Sequence, residues 1–451
     1  MPPHPAEIRL SSRDVRRAVL ASIIGNGLEW YDFLSYGFFA GYISHAFFPA
    51  ENQFVSLMLA YAGFAVGFIV RPFGGVVLGA FADRAGRQRA LSLLIGMMAA
   101  GTLVLGLTPG YAAIGVAAPV IVIIGRVLQG LSVGGEFGSA TAMLVEYAPP
   151  GQKMFYGSFQ MCSQAVAVLV ASLLGYVLTT TVPHEALQDW AWRLPFLAGG
   201  LIGPIGFYIR RRVAESPEFA ALKRRPGAVR RAPIRDVLAR HMRPVLCAVG
   251  VIAVGTANNY IFNTYLPVFV VRQLHLSMST ALLGASVGGL ISVVLYPFIG
   301  WLADRIGPYP IFFCSVILGG ALVYPLFSYV IAAPAAERLF VAQVLMLVVH
   351  AFMIGPAPGL LARLFPVGVR STGMSLSYNI AVTLFGGLAP VTVTWLIRLA
   401  GSSMVPAFYL LGMTVFSLAL VVATKQGSGM TDRLDDAEAG PETPPSALAH
   451  E

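Results

Sequence analysis

Long apolar runs follow one another along almost the whole chain, separated by short polar breaks. A helix needs roughly 20 apolar residues to cross a bilayer. Twelve runs qualify: 18–47, 54–82, 90–108, 114–147, 153–180, 192–212, 244–271, 280–303, 309–332, 338–364, 371–398 and 403–424, numbered here as spans 1 to 12. Runs 18–47, 54–82 and 114–147 exceed the minimum, which predicts tilt or ends that protrude into water.

Two polar breaks repeat each other. Gly79-Ala-Phe-Ala-Asp83-Arg84-Ala-Gly86-Arg87, between spans 2 and 3, recurs as Gly300-Trp-Leu-Ala-Asp304-Arg305-Ile-Gly307-Pro308 between spans 8 and 9. Pro149-Pro-Gly-Gln-Lys153 after span 4 is matched by Pro366-Val-Gly-Val-Arg370 after span 10. A charged hairpin at the same place in both halves of an apolar chain points to duplication and to a two-bundle transporter. The predicted fold is an all-α membrane protein with twelve transmembrane helices in two six-helix bundles, 18–212 and 244–424. A cytoplasmic segment 1–17, a basic linker 213–243 and a disordered tail 425–451 complete it.

Composition agrees with a lipid environment. Of 451 residues, 57% are hydrophobic and 11% charged, and the mean hydropathy is +0.73; an ordinary soluble domain carries about 25% charged residues. The net charge of +9 is distributed by side, which speaks for membrane orientation and against nucleic acid. Of the 30 Lys and Arg, 24 fall on one side of the twelve crossings, four (Arg193, Arg272, Arg338, Arg398) on the other, and Arg71 and Arg126 lie within spans. The positive-inside rule then places both termini in the cytoplasm. The 210–243 loop alone holds eleven Lys or Arg and three acids, and reads as a topology-setting linker or a headgroup-binding one. Residues 1–17 carry Arg9, Arg13, Arg16 and Arg17, and the apolar run after them is too long for a signal-peptide core, so span 1 is read as retained. Cys162, Cys247 and Cys314 lack metal-ligand spacing and are expected to be buried free thiols.

Ionisable groups inside a bilayer cost several kcal/mol and are usually retained for a task. Here they cluster in the first half. In span 1, Ser22, Asn26, Glu29 and Tyr36 share a helical face, with Asp32 beside it. A carboxylate there either carries a proton or locks two helices as an ion pair. Span 4 supplies a cation in Arg126, with Gln129 and Glu136 on a shared face. Arg126, Gly130, Gly134 and Gly138 form one i, i+4 row, and Gly63, Gly67, Arg71, Gly75 and Gly79 form another in span 2. Glycine rows let helix backbones approach closely. Arg126 is read as functional, since a planar fork suits a carboxylate partner, and Arg71 as structural. Polar stripes in span 5 (Tyr156, Gln160, Gln164), span 7 (Thr256, Asn258, Asn259, Tyr260, Asn263, Tyr265) and span 11 (Ser375, Tyr378, Asn379, Thr383) line a cavity or bond neighbouring helices. His350 is read as a satisfied core histidine. No P-loop lysine, HExxH or CxxC pair occurs, so neither direct ATP energisation nor these enzyme classes is indicated.

These motifs resemble the major facilitator superfamily. The hairpin at Asp83, Arg84 and Arg87 is similar to its loop 2–3 signature, and Asp304-Arg305-x-Gly307 to the degenerate copy. That copy departs at Pro308, so its latch is expected to be weaker. Asn26-x-Leu-Glu29-Trp-Tyr-Asp32-Phe, Arg71-Pro-Phe-Gly-Gly, Gln129-Gly130 with Glu136, and Trp192-Arg-Leu-Pro-Phe resemble the metabolite:proton symporter family within it. Weaker matches at Phe48-Pro-Ala-Glu51, Leu107-Thr-Pro-Gly-Tyr111 and Phe385-Gly-Gly-Leu-Ala-Pro390 are most similar to citrate- and tricarballylate-proton symporters.

The resemblance implies a non-enzymatic secondary transporter of the bacterial inner membrane. It would import a small organic acid, a citrate-like di- or tricarboxylate, with the proton as coupling ion, no cofactor, and a monomeric state. It further implies that Asp32 and Arg126 form the coupling pair, with Glu29 and Glu136 as additional carboxylates. Asp83, Arg84, Arg87, Asp304 and Arg305 would be gating residues. The residues read as substrate-facing are Arg126, Asn26, Gln129, Tyr36, Gln160, Gln164, Asn259, Asn263, Tyr378 and Asn379. Rival readings are other cargo (2-oxoglutarate, shikimate, betaine or proline), a proton-driven drug exporter, and a sensor that moves nothing.

Overall fold

A computed structural model describes residues 12–75, 77–78, 87–134, 136–149, 151–211, 233–366 and 369–425. Every predicted span contains helix among the described residues. The helices run over Ser12–Phe38, Gln53–Gly75, Arg87–Leu107, Ala117–Ala142, Lys153–Thr181, Leu194–Arg211, Met242–Gln273, Met278–Ile306, Pro308–Ala332, Ala336–Leu364, Arg370–Ala400 and Val405–Lys425. Nine of them are long and apolar enough to cross a membrane among the described residues. No strand occurs among those residues.

Several helices are interrupted where the sequence pattern showed only an apolar run. Span 1 turns at Phe39 and continues as Ala40–Phe47. Span 4 is helical over Ala117–Val133 and Glu136–Glu146, with Gly134 itself in the helical region. Spans 7 and 11 each contain a π-helical stretch, Tyr260–Tyr265 and Thr383–Gly387, and span 10 breaks at Gly355-Pro356. Such widened turns release backbone groups from the regular ladder and often mark functional positions.

Within the first half, spans 2 and 4 cross glycine to glycine. A side chain at Gly130 would run into the Gly67 carbonyl, and one at Gly134 into the Arg71 carbonyl. This close approach is what the two glycine rows imply. It brings Arg71 and Arg126, which occupy the same rows, into one layer.

The halves meet along spans 5 and 8, spans 4 and 11, and spans 2 and 11. At the end that bears the repeated hairpin, both carboxylate oxygens of Asp304 accept from the amides of Met154 and Phe155 at 2.9 Å. The carboxylate of one half thus caps the first turn of a helix in the other, where charge and helix dipole add. Phe137 stacks on Tyr378 with ring centroids 3.5 Å apart and planes 3° from parallel, and Asn379 Nδ2 donates to the Gly134 carbonyl at 2.7 Å. At the opposite end Tyr61 meets Tyr265 and Arg398 lies over Phe54. Among the described residues the seam is therefore closed at both ends.

Two expectations need correction. The cysteines are free, but only Cys247 is buried; Cys162 is half-buried and Cys314 exposed on the helix surface. His350 is buried with no hydrogen-bond partner at Nδ1, so it is not a satisfied core histidine. At the second hairpin, Gly307 has φ +85°, a conformation that disfavours side chains, and Pro308 is the first residue of span 9. The residue that departs from the motif here starts a helix. Arg305 lies over its own helix's Trp301, 3.9 Å from the ring centroid.

Candidate functional site

Span 1 offers carboxylates to two buried arginines. Asp32 Oδ2 lies 3.4 Å from Arg126 Nη1, and Glu29 Oε1 lies 3.9 Å from Arg71 Nη2, all four residues being buried. Phe33, next to Asp32, contributes its ring to both cations: each guanidinium carbon is 4.4 Å from the ring centroid. Arg71 also packs on Phe68, and Arg126 on Tyr36 and Phe64. Desolvated cation–π contacts contribute about 2 kcal/mol each, which offsets part of the several kcal/mol per ion that burial costs. The ion pairs do not complete that compensation. Arg126 Nε and Nη2, Arg71 Nε and Nη1, and Asp32 Oδ1 have no hydrogen-bond partner.

On the inner side of the first half, Glu29, Asp32 and Glu136 line one hollow with Thr102 and Ser132. It has room for little more than water, and the polar groups set among its largely apolar walls offer a water its partners. The floor comes from glycines 199 and 203 of span 6. On the other side, toward the second half, stands Tyr260 of span 7. Its ring packs on Trp30, Phe64 and Phe68, its hydroxyl has no partner, and it lies within electrostatic reach of Arg71, Glu29 and Arg126. The arginines thus separate an acidic, water-sized hollow from an aromatic wall at the seam.

The remaining residues singled out from sequence divide by what their polar atoms do. Gln160 is fully buried with neither amide atom partnered, and Gln164 Nε2 is likewise free, beside the Tyr378 hydroxyl. Others are engaged in helix–helix bonds. Asn26 donates to the Gln160 carbonyl and to Ser163 Oγ, Tyr36 donates to the Ala60 carbonyl, and Asn379 reaches Gly134. Asn263 donates to Asn259, leaving one acceptor and one donor over between them. Gln129 bridges Arg126 and Thr102. Asp83 and Arg84 lie outside the described residues, as does the side chain of Arg87.

Sequence reasoning passed over Thr102, the aromatic residues Phe33, Phe64 and Phe68, and Phe137; Tyr260 it placed only in the polar stripe of span 7. Thr102 is one of few polar groups in span 3, a signal that was available. The aromatics are indistinguishable from lipid-facing ones until the helices are packed. Among the described residues, no group of three or more His, Cys, Asp or Glu is arranged to hold a metal ion.

Two six-helix halves that close over a layer of buried charge define a membrane transport protein. The chain belongs to the Major Facilitator Superfamily, whose family model matches residues 23–390 and 248–442. It is similar to the citrate-proton symporter of Salmonella typhi, with 38% identity over 406 residues, 89% of this chain and 92% of that one. It is also similar to the alpha-ketoglutarate permease of Escherichia coli (strain K12), with 32% identity over 434 residues, 94% and 98% of the two chains. Among solved structures, the partially occluded inward open conformation of the xylose transporter XylE from E. coli aligns with a TM-score of 0.71. That alignment covers 93% of this chain and 99% of that one at 16% identity, which speaks for the fold alone. The protein is accordingly a multi-pass transporter of the bacterial inner membrane and not an enzyme.

Proposed function

We propose that the protein imports a citrate-like di- or tricarboxylate together with protons by alternating access. One observation carries the reading. Two buried guanidinium groups share one aromatic ring, face carboxylates of span 1 through long contacts, and keep four N–H-bearing nitrogens without partners. Unpaired buried donors are costly, so the arrangement suits an anion that supplies the missing acceptors. Two such cations suit an acid with more than one carboxylate.

The coupling follows from competition. Protonation of Asp32 removes the anion that Arg126 faces, and Arg126 becomes available to a substrate carboxylate. Glu29 stands in the same relation to Arg71, and Glu136 shares their hollow. Gln160, Gln164 and Tyr378 would meet the polar remainder of the substrate, which the unpartnered amide atoms of the two glutamines support. Substrate and proton act on the conformational equilibrium only by binding one state better than another. Asp304, seated on the first turn of span 5, would hold the hairpin end closed, with Asp83, Arg84 and Arg87 as its counterpart in the first half. Both termini and the basic 213–243 linker would lie in the cytoplasm, between bundles 18–212 and 244–424.

The test is uptake of radiolabelled citrate into proteoliposomes under an imposed inward proton gradient. Accumulation should collapse with a protonophore. Uptake indifferent to the protonophore and to pH would remove the proton half of the proposal. The 32% identical alpha-ketoglutarate permease makes 2-oxoglutarate the second cargo reading, and competition between the two acids decides between them. Competition by betaine but by neither acid would point to a zwitterion.

A further inference from the structure

Arg126 is held by something other than its acid. Its Nη1 donates to Gln129 Oε1 at 2.7 Å and reaches Asp32 Oδ2 only at 3.4 Å. Gln129 in turn donates from Nε2 to Thr102 Oγ1 at 3.1 Å, and the Thr102 hydroxyl donates to the Met98 carbonyl of its own helix at 3.0 Å. The direction of this chain is fixed from its far end. A carbonyl and a carboxylate can only accept, so the threonine proton goes to Met98 or to the Asp32 carboxylate within its reach, and either way the hydroxyl oxygen accepts from Gln129. The amide group must present nitrogen to Thr102 and oxygen to Arg126. Spans 3 and 4 are close enough for this because position 101 is glycine; a Cβ there would lie 2.6 Å from Gln129 Cγ.

We infer that Thr102 is a positioning residue that, through the orientation of Gln129, holds Arg126 off Asp32 and keeps it available to substrate. A carboxylate and a guanidinium left to themselves close into a short two-bond fork. Here the pair has one long contact, with Asp32 Oδ1 and Arg126 Nη2 and Nε unpartnered. The neutral amide takes the place of the second bond. When Asp32 is neutralised, Arg126 keeps its Gln129 partner and its place. Without the threonine hydroxyl the amide is released. Its nitrogen, already within reach of the Asp32 carboxylate, then turns to the unpartnered Oδ1, its oxygen leaves Arg126, and the guanidinium closes on Asp32.

The consequence for transport rests on the anion-binding role proposed for Arg126, so the test has a ligand-dependent and a ligand-free arm. In the first, Thr102→Val keeps the shape and removes the hydroxyl. The KM for citrate should rise about tenfold, the factor one hydrogen bond of ordinary strength supplies, with kcat and membrane content within about twofold of the parent. Thr102→Ser should restore the KM. An unchanged KM in Thr102→Val, or an equal loss in Thr102→Ser, overturns the inference. In the second arm, melting temperatures of the unliganded parent, Thr102→Val, Asp32→Ala and the double variant form a cycle. If Gln129 and Asp32 are alternative partners of one buried cation, the double variant melts lower than the two single shifts predict; additive shifts sink the clamp whatever the cargo. Should the parent take up no citrate, the cargo proposal fails and the melting cycle alone decides on Thr102.

Discussion

Arg126 is fully buried, and what surrounds it shows why its chemistry is tied to a planar fork. One amino group serves Gln129 and Asp32, while Nε and the other amino nitrogen face aromatic rings with no acceptor of their own. A lysine would place a single compact charge on a flexible stem and could not satisfy both sides. Arg126→Lys should therefore lower citrate uptake by about tenfold or more while the protein still inserts. Uptake and immunodetection in the same membranes check this. The acids of span 1 were identifiable in the sequence because ionisable residues are rare there. Their partners were not all identifiable. Arg71 reads as structural from its glycine row, yet it stacks on the same Phe33 ring as Arg126 and faces Glu29. Asn26 and Tyr36, read as substrate-facing, use their polar atoms to bond spans 5 and 2. A helical face tells which residues point together, not which neighbour they meet.

At the level of elements, the crossing of spans 2 and 4 sets the site. Backbone contact at Gly67 and Gly130 draws the two arginines into one layer. Gly130→Val would drive a branched side chain against the Gly67 carbonyl, costing about 1–3 kcal/mol and separating the guanidinium groups. Its melting temperature should fall and its uptake should be lost. Gly412→Ala in span 12 is the control, since an added Cβ meets nothing within 4 Å; its melting temperature should not fall. The glycine periodicity by itself implies this crossing. The π-helical turns at Tyr260–Tyr265 and Thr383–Gly387 were silent in the sequence. Hydropathy registers how far a helix runs through lipid and is blind to a single widened turn.

For the molecule as a whole, the question is what keeps the seam shut at each end. At the hairpin end, Asp304 reaches from the second half to two amides of the first, beside the Phe137–Tyr378 stack. Hydrogen bonds to a charged acceptor contribute about 1.5–3 kcal/mol, so Asp304→Ala should shift the equilibrium toward opening at that end by about tenfold or more. In a background with Cys162, Cys247 and Cys314 replaced by serine, a cysteine at Ser158, which is fully buried near Gly300, reads the opening. Its alkylation should be faster in Asp304→Ala by a similar factor, and an unchanged rate would show that other contacts hold that end.

The repeated hairpin, the glycine rows and the alternation of basic loops were enough to determine twelve helices, two halves and membrane residence, because each follows from the chain's need to keep charge out of lipid and backbone groups bonded. Those constraints act locally, along one helix and its two ends, and so they are written in one dimension. Tertiary structure alone decided that Asp32 and Arg126 stand at a long single contact, that Thr102 orients the amide between them, and that Tyr260 of the other half completes the wall. These relations join residues from spans 1, 3, 4 and 7, and their strength depends on tenths of an ångström across helices that the sequence leaves free to rotate and slide.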